Sequence, residues 1–146
     1  MGWVVLLTDE VADWLAELEK EDPKSAVRVV AAVRMLREHG PALDRPMVDT
    51  IRGSRVANLK ELRPGSSGRK KIRILFAFDW WRQAILLVAG DKSGDWRGWY
   101  GSAIERAERL YDEHLRAQEA QRREKARDGD PQVGGSRRGT IRRTRR

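Results

Sequence analysis

The sequence predicts an α+β fold: an N-terminal strand, a helical hairpin, a three-stranded antiparallel meander and a C-terminal helix. Three observations carry that expectation. Apolar residues recur at helical spacing in two stretches before residue 40 and in a third after residue 102. Between residues 69 and 78 they alternate with a period of two, as in a strand. Prolines and glycines fall between these stretches, where the chain must turn.

The elements follow in order. Trp3 to Leu7 is rich in apolar and β-branched residues and reads as the first strand. Thr8 or Asp9 can cap a helix whose inner face is Val11, Trp14, Leu15 and Leu18, and Asp22-Pro23 ends it. A second helix is expected over about Lys24 to Glu38, with Ala26, Val27, Val29, Val30, Val33 and Leu36 inward and Gly40-Pro41 as its stop. Residues 40–54 read as a loop. Three strands are expected at Val56 to Arg63, Arg69 to Phe78 and Ala84 to Ala89, with turns at Pro64 to Gly68 and Asp79 to Gln83. The last helix is expected from about Ser102, its apolar stripe of Ile104, Ala107, Leu110, Tyr111 and Leu115 fading after Arg116. Residues 1–115 thus form one domain. Residues 116–146 form a basic tail, helical at its start and disordered beyond Ala126, where almost no apolar residue remains.

The formal charge of +8 gains meaning once it is located. Residues 116–146 hold eleven Lys/Arg and four Asp/Glu, whereas residues 1–115 are nearly balanced at nineteen and eighteen. Within that balanced body, Arg45 to Arg73 carries nine cations against only Asp49 and Glu61. Such a local basic patch points to phosphate contact more sharply than a uniformly basic chain does. The sequence of 146 residues has no cysteine and only two histidines, His39 and His114. No disulfide framework, thiol nucleophile or Cys/His metal site is available, and no metal or other cofactor is expected. Trp3 to Leu7 is too short to span a bilayer and lacks the features of a signal peptide, so a cytoplasmic protein without membrane attachment is expected.

Strand alternation places the candidate chemistry. Ile72, Ile74, Phe76 and Phe78 share one face and must meet the helices, leaving Lys71, Arg73 and Leu75 on the other. In the preceding strand Leu59, Glu61 and Arg63 share a face, Lys60 and Leu62 the opposite one, and alternation alone does not say which is inward. A hairpin connection brings Glu61 and Arg63 close to Arg73 if the faces match. A carboxylate among guanidinium groups suits RNA cleavage without metal. The 2′-hydroxyl must lose a proton, the phosphorane charge must be stabilised and the leaving 5′-oxygen neutralised. Glu61 is then either a base or the group that orients Arg63 and Arg73. The other reading is a cross-strand ion-pair network on a solvated sheet face.

The stretches "NLKELRP" at 58–64, "IRILFAFD" at 72–79 and "AILLVAGDKSG" at 84–94, with Gly40-Pro41, Leu43 and Arg45-Pro46 before them, resemble the phage-derived, HigB-like branch of the RelE/ParE toxin superfamily. The resemblance covers about residues 3–115. It implies a compact RelE-like microdomain and a type II toxin that cuts mRNA, often on the ribosome, held in check by a cognate antitoxin of helix-turn-helix type. It also implies that Arg73 meets the scissile phosphate, with Glu61, Arg63 and Lys92 completing the catalytic set. Arg55, Lys60, Lys71, Trp96 and Tyr100 are expected to contact RNA. Relatives place a His or Tyr near the end of the domain, and Tyr100 is the residue here that resembles it. The alternative is a nucleic-acid-binding module of the same build without cleavage. Six tryptophans also invite base stacking: Trp3 and Trp14 fall on core patterns, whereas Trp80-Trp81 occupy a turn where at least one ring is exposed.

Overall fold

The computed structural model describes residues 2–65 and 68–129. Its elements are β1 (Val4–Leu7), α1 (Asp9–Glu21), α2 (Pro23–His39), β2 (Val48–Thr50), β3 (Lys60–Leu62), β4 (Ile72–Phe78), β5 (Gln83–Asp91) and α3 (Trp96–Arg127). The five strands form one mixed sheet in the order β1-β5-β4-β3-β2, in which β1 runs parallel to β5 and the other pairs are antiparallel. The α+β architecture is the expected one. The meander, however, has four antiparallel strands rather than three, because the predicted loop at 40–54 contains β2.

Both faces of the sheet are covered. Ile72, Ile74 and Phe76 of β4 join Val11, Leu18, Val29 and Leu36 in the core beneath α1 and α2. Leu75 and Ala77, from the alternate positions, join Ala103, Ala107 and Leu110 beneath α3. Between Leu75 and Phe76 the β4–β5 register slips, Leu75 pairing with Val88 and Phe76 with Leu86. The extra residue, Leu87, joins Val88 in the core under α3. Two-sided coverage also settles the ambiguity of the second predicted strand. Leu62 is buried against the helical hairpin and Leu59 against α3, so both face inward.

The helix ends are closed by local chemistry. Thr8 Oγ1 accepts from Val11 N at 3.2 Å and donates to Leu87 O at 3.0 Å, which caps α1 and ties it to β5. Asp22 accepts from the backbone and hydroxyl of Ser25, and Pro23 opens α2. Gly40 ends α2 at φ +53, and a Cβ there would collide with the Trp3 indole. Trp3 in turn lies edge-on to Phe78 at 4.9 Å, and Trp14 packs on the same core, so both have the expected structural roles.

Several boundaries differ from expectation: β4 starts at Ile72 rather than Arg69, β5 runs on to Asp91, and two shifts are larger. The second predicted strand narrows to Lys60–Leu62, because Val56 to Leu59 form a turn closed by Leu59 N donating to Val56 O. The last helix begins at Trp96 instead of Ser102 and runs on to Arg127. Asp95 caps it by accepting from Gly98 N at 3.1 Å. Gly98 and Gly101 weaken the helical signal over that first stretch, which hides it in the sequence. At the other end Ala, Gln, Glu and Arg are strong helix formers, and Arg122 and Arg123 both pair with Glu119. The predicted disorder beyond Ala126 falls chiefly on residues 130–146, which lie outside the described residues. Among the described residues no helix is long and apolar enough to cross a membrane.

Candidate active site

The site lies where β3, the start of β4, the end of β5 and the first turns of α3 meet. Glu61, central in β3, points to the α3 side and is only 3% exposed. A carboxylate buried this deeply needs partners for both oxygens. Arg63, two residues along the same strand face, reaches Glu61 Oε2 with Nε at 2.9 Å and Nη2 at 2.8 Å. Its Nη2 also donates to Asp49 Oδ2, 3.1 Å away on β2. From the other side the Tyr100 hydroxyl donates to Glu61 Oε1 at 2.5 Å. An unbroken chain Asp49–Arg63–Glu61–Tyr100 therefore joins the edge strand to α3.

Arg73 and Lys92 flank this chain, Arg73 within ion-pair distance of Glu61. Arg73 Nε lies 4.0 Å from Glu61 Oε1 and is buried without a hydrogen-bond partner among the described residues, while Nη1 donates to Ile72 O at 2.8 Å. Lys92 Nζ sits 5.4 Å from the centre of the Tyr100 ring and 5.9 Å from that of Trp96. Its backbone N–H donates to Lys71 O, so the β4 and β5 ends hold Lys71 and Lys92 together. Burial, and then repulsion from Arg73, lower the Lys92 pKa below the usual lysine value. Burial and the bond to Glu61 push the Tyr100 phenol up to about 12, so it stays protonated. For Arg63, burial alone would ease loss of the proton, but the hydrogen bond and charge of Glu61 outweigh it and raise its pKa.

What brings α3 this close is Gly90. It pairs with Arg73 across β4–β5, and any Cβ there would run into the Trp99 indole. With that space free, Trp99 comes close enough to the sheet for its neighbour Tyr100 to reach Glu61; the two rings are 5.1 Å apart. Trp96, one turn earlier, is half exposed and edge-on to Tyr100, with Arg97 over its ring at 5.2 Å.

Of the residues singled out from sequence, the fold thus gathers Glu61, Arg63, Arg73, Lys92, Lys71, Trp96 and Tyr100. It does not gather the other two. Lys60 pairs with Phe76 on the opposite sheet face, its Nζ near the Thr50 hydroxyl. Arg55 is tied to Asp112 and Glu108, two to three turns along α3 from Tyr100. The sheet face also is not the exposed one expected, since α3 covers Glu61. Sequence reasoning missed Asp49 and Gly90. Asp49 was visible as one of only two acids in the basic stretch, and Gly90 as a glycine inside a strand pattern.

A second polar network was not foreseen. Asp79, at the end of β4, accepts from Trp81 N, Gln83 N, the Gln83 side chain at 2.6 Å and the Gln118 side chain at 2.5 Å. His114 Nε2 lies 2.8 Å from the same carboxylate. His114 and Asp79 are both almost wholly buried. Among the described residues no group of three or more His, Cys, Asp or Glu is placed to hold a metal ion.

Residues 13–112, about two-thirds of the chain, match the family model described as phage derived protein Gp49-like (DUF891). The chain belongs to this family. It is 50% identical over 115 residues to a Mycobacterium tuberculosis protein named "Putative toxin HigB2", covering 79% of this chain and 55% of that protein. It is 45% identical over 100 residues to "Putative toxin HigB3" of the same organism, covering 68% of this chain and 82% of the relative. The chain thus spans little more than half the length of HigB2. The Gp49-like match and both relatives agree with the resemblance read from the three strand motifs.

Proposed function

We propose that this protein is the toxin of a HigB-type toxin–antitoxin pair and acts as a metal-independent endoribonuclease on mRNA at the ribosome. The names of its two relatives motivate the toxin role. The convergence of Arg63, Arg73 and Lys92 on the buried Glu61–Tyr100 pair, with an unsatisfied guanidinium N–H on Arg73, carries the chemistry. A phosphate is the anion that such an orphan donor would take up together with Lys92, whose Nζ lies over the Trp96 and Tyr100 rings. Trp96, half exposed beside them, offers a face on which the neighbouring base can stack.

Glu61 has both oxygens engaged, so its first task is positioning. It fixes Arg63 and holds the Tyr100 hydroxyl toward the cations. In the reaction the 2′-oxygen bonds to phosphorus while its proton passes to the Tyr100 oxygen, and the Tyr100 proton moves along the existing hydrogen bond to Glu61. Arg73 and Lys92 stabilise the charge on the phosphorane. The P–O5′ bond then breaks, and the leaving oxygen takes a proton from Lys92, whose lowered pKa suits it as a donor. The products are a 2′,3′-cyclic phosphate and a free 5′-hydroxyl. A cognate antitoxin, of helix-turn-helix type in the branch this chain resembles, would be the partner that restrains this activity.

Primer extension on defined mRNAs after brief induction tests the reading. New 5′ ends inside translated regions are expected for the wild type and not for Arg73→Ala. Their absence with wild-type protein that is folded and abundant would leave the binding module without cleavage as the better description.

A further inference from the structure

At the end of the molecule away from the candidate active site, the β4–β5 turn presents two adjacent tryptophans. Trp80 is 87% exposed and Trp81 43%. Hydrophobic rings this large are seldom left in water without a use. The turn that carries them is held unusually firmly. Asp79 N donates to Gln83 O at 2.9 Å, Asp79 Oδ1 accepts from Trp81 N and Gln83 N, and Arg82 takes a positive φ of 60. The other carboxylate oxygen is gripped by Gln83, His114 and Gln118, which bolts the turn to α3. Trp80 and Trp81, with Leu115, Gln118, Glu119 and Arg122 of α3, line an open groove of about 310 Å³.

We infer that this groove is a second RNA-contact site, taking an unpaired base of a structured RNA against the Trp80–Trp81 rings while the distal half of α3 binds the adjoining phosphates. The inference rests on the reading of this protein as one that acts on RNA only for the choice of polyanion. Charge decides for a polyanion. From Arg116 to Arg127 there are five cations and two acids, and one of those acids, Glu119, is shared between Arg122 and Arg123. The sequence that follows, residues 128–146, adds six arginines and two aspartates. Composition decides for a base rather than an apolar protein segment. Among the described residues Leu115 is the only aliphatic one lining the groove, and its other non-aromatic walls are amide, carboxylate and guanidinium. Tryptophan and arginine occur at protein interfaces as well, but there they surround an apolar centre that these amide, carboxylate and guanidinium walls do not provide, whereas flat rings flanked by arginine are what unpaired bases stack on. The groove is also independent of the active site. Leu115 to Arg122 lie fifteen to twenty-two residues beyond Tyr100 on α3, which is about 23–33 Å at the helical rise.

The test uses the full chain and a fluorescein-labelled, fully 2′-O-methylated stem-loop, which cannot be cleaved through a 2′-hydroxyl, beside a blunt duplex of the same stem. Anisotropy titrations at several salt concentrations are run on the wild type, Trp80→Ala/Trp81→Ala and Arg122→Gln/Arg123→Gln. The tryptophan pair is expected to weaken stem-loop binding roughly tenfold, the effect of one lost stacked base, and to leave duplex binding unchanged. Trp80→Phe/Trp81→Phe should restore most of the loss, and the arginine pair should flatten the salt dependence for both probes. Both tryptophans are on the surface, and thermal melts check that the variants fold. Equal stem-loop affinity in wild type and the alanine pair overturns the inference. So does unchanged RNA binding alongside lost capture of the purified cognate antitoxin, which would make the groove a protein interface. Because the probe is not cut, absence of nuclease activity would sink the proposed function while leaving this result intact.

Discussion

Tyr100 is tied to a buried acid by a hydrogen bond that keeps its own proton in place, and the proposed relay uses that same bond. Tyr100→Phe removes the hydroxyl but keeps the ring that packs against Trp96 and Trp99. Arg63 still holds Glu61, so the fold should survive with a loss of about 1.5–3 kcal/mol for one hydrogen bond to a charged group. Cleavage by the purified protein on ribosomes should fall about a hundredfold or more, the usual scale for proton-transfer groups. A variant that cuts at the wild-type rate would remove Tyr100 from the mechanism. Lys92 gives the pH dependence. It is charged below its pKa, and burial with Arg73 nearby sets that pKa below the ordinary lysine value of 10.5. Cleavage should therefore hold steady at neutral pH and decline on the alkaline side earlier than an ordinary lysine would dictate. In Lys92→Arg, which cannot lose its proton in this range, the alkaline decline should vanish even if the rate is lower throughout. A decline identical in both proteins would assign it to another group.

At the scale of the element, β4 shows what a sequence makes legible. Its strict alternation fixes Ile72, Ile74 and Phe76 on one side and Arg73 on the other, so the period of two is enough to set Arg73 opposite the helical hairpin. β3 was different, because a sheet covered on both faces puts apolar residues at odd and even positions alike, and Leu59 and Leu62 both end up inside. β2 is three residues long, too short to leave a periodic signature. The start of α3 was masked by Gly98 and Gly101, and with it the reason Tyr100 reaches Glu61, thirty-nine residues away in sequence. Gly90 is the hinge of that encounter. Gly90→Ala should lift Trp99 from the sheet and draw Tyr100 off Glu61. The overpacking should cost about 1–3 kcal/mol, read as a lower urea midpoint, with a change in near-UV tryptophan signal and a loss of cleavage larger than the change in stability explains. Gly90→Ala with wild-type cleavage would show that Tyr100 does not need its seat on the sheet.

Across the whole molecule, α3 is the member that relates the two ends. Its first turns close over Glu61, and its middle receives Asp79 from the β4–β5 turn through His114 and Gln118. Burial on its own would raise the Asp79 pKa, but the bonds from His114, from the Gln83 side chain and from the Trp81 and Gln83 backbone outweigh it and hold it below 3.8. A carboxylate with a lowered folded pKa stabilises the fold fully above its unfolded value near 3.8, and that contribution is lost as pH falls through the folded value. The window is thus the acid region below about pH 4, and nothing from this group should change between about pH 5 and 8. Asp79→Asn tests the argument. The amide offers one acceptor where three side-chain donors converge on a single carboxylate oxygen, so stability at neutral pH should drop by about 1–3 kcal/mol, the cost of leaving a buried donor without its partner. Urea midpoints measured from about pH 7 down to about pH 2.5 should show the wild type losing its advantage below about pH 4 and the two curves converging. Parallel curves, with the gap preserved into acid, would mean that Asp79 acts by shape and not by charge. In that case α3 would be held to the turn chiefly by the packing of Tyr111 and Leu110, and the acid sensitivity of the fold would have to arise elsewhere.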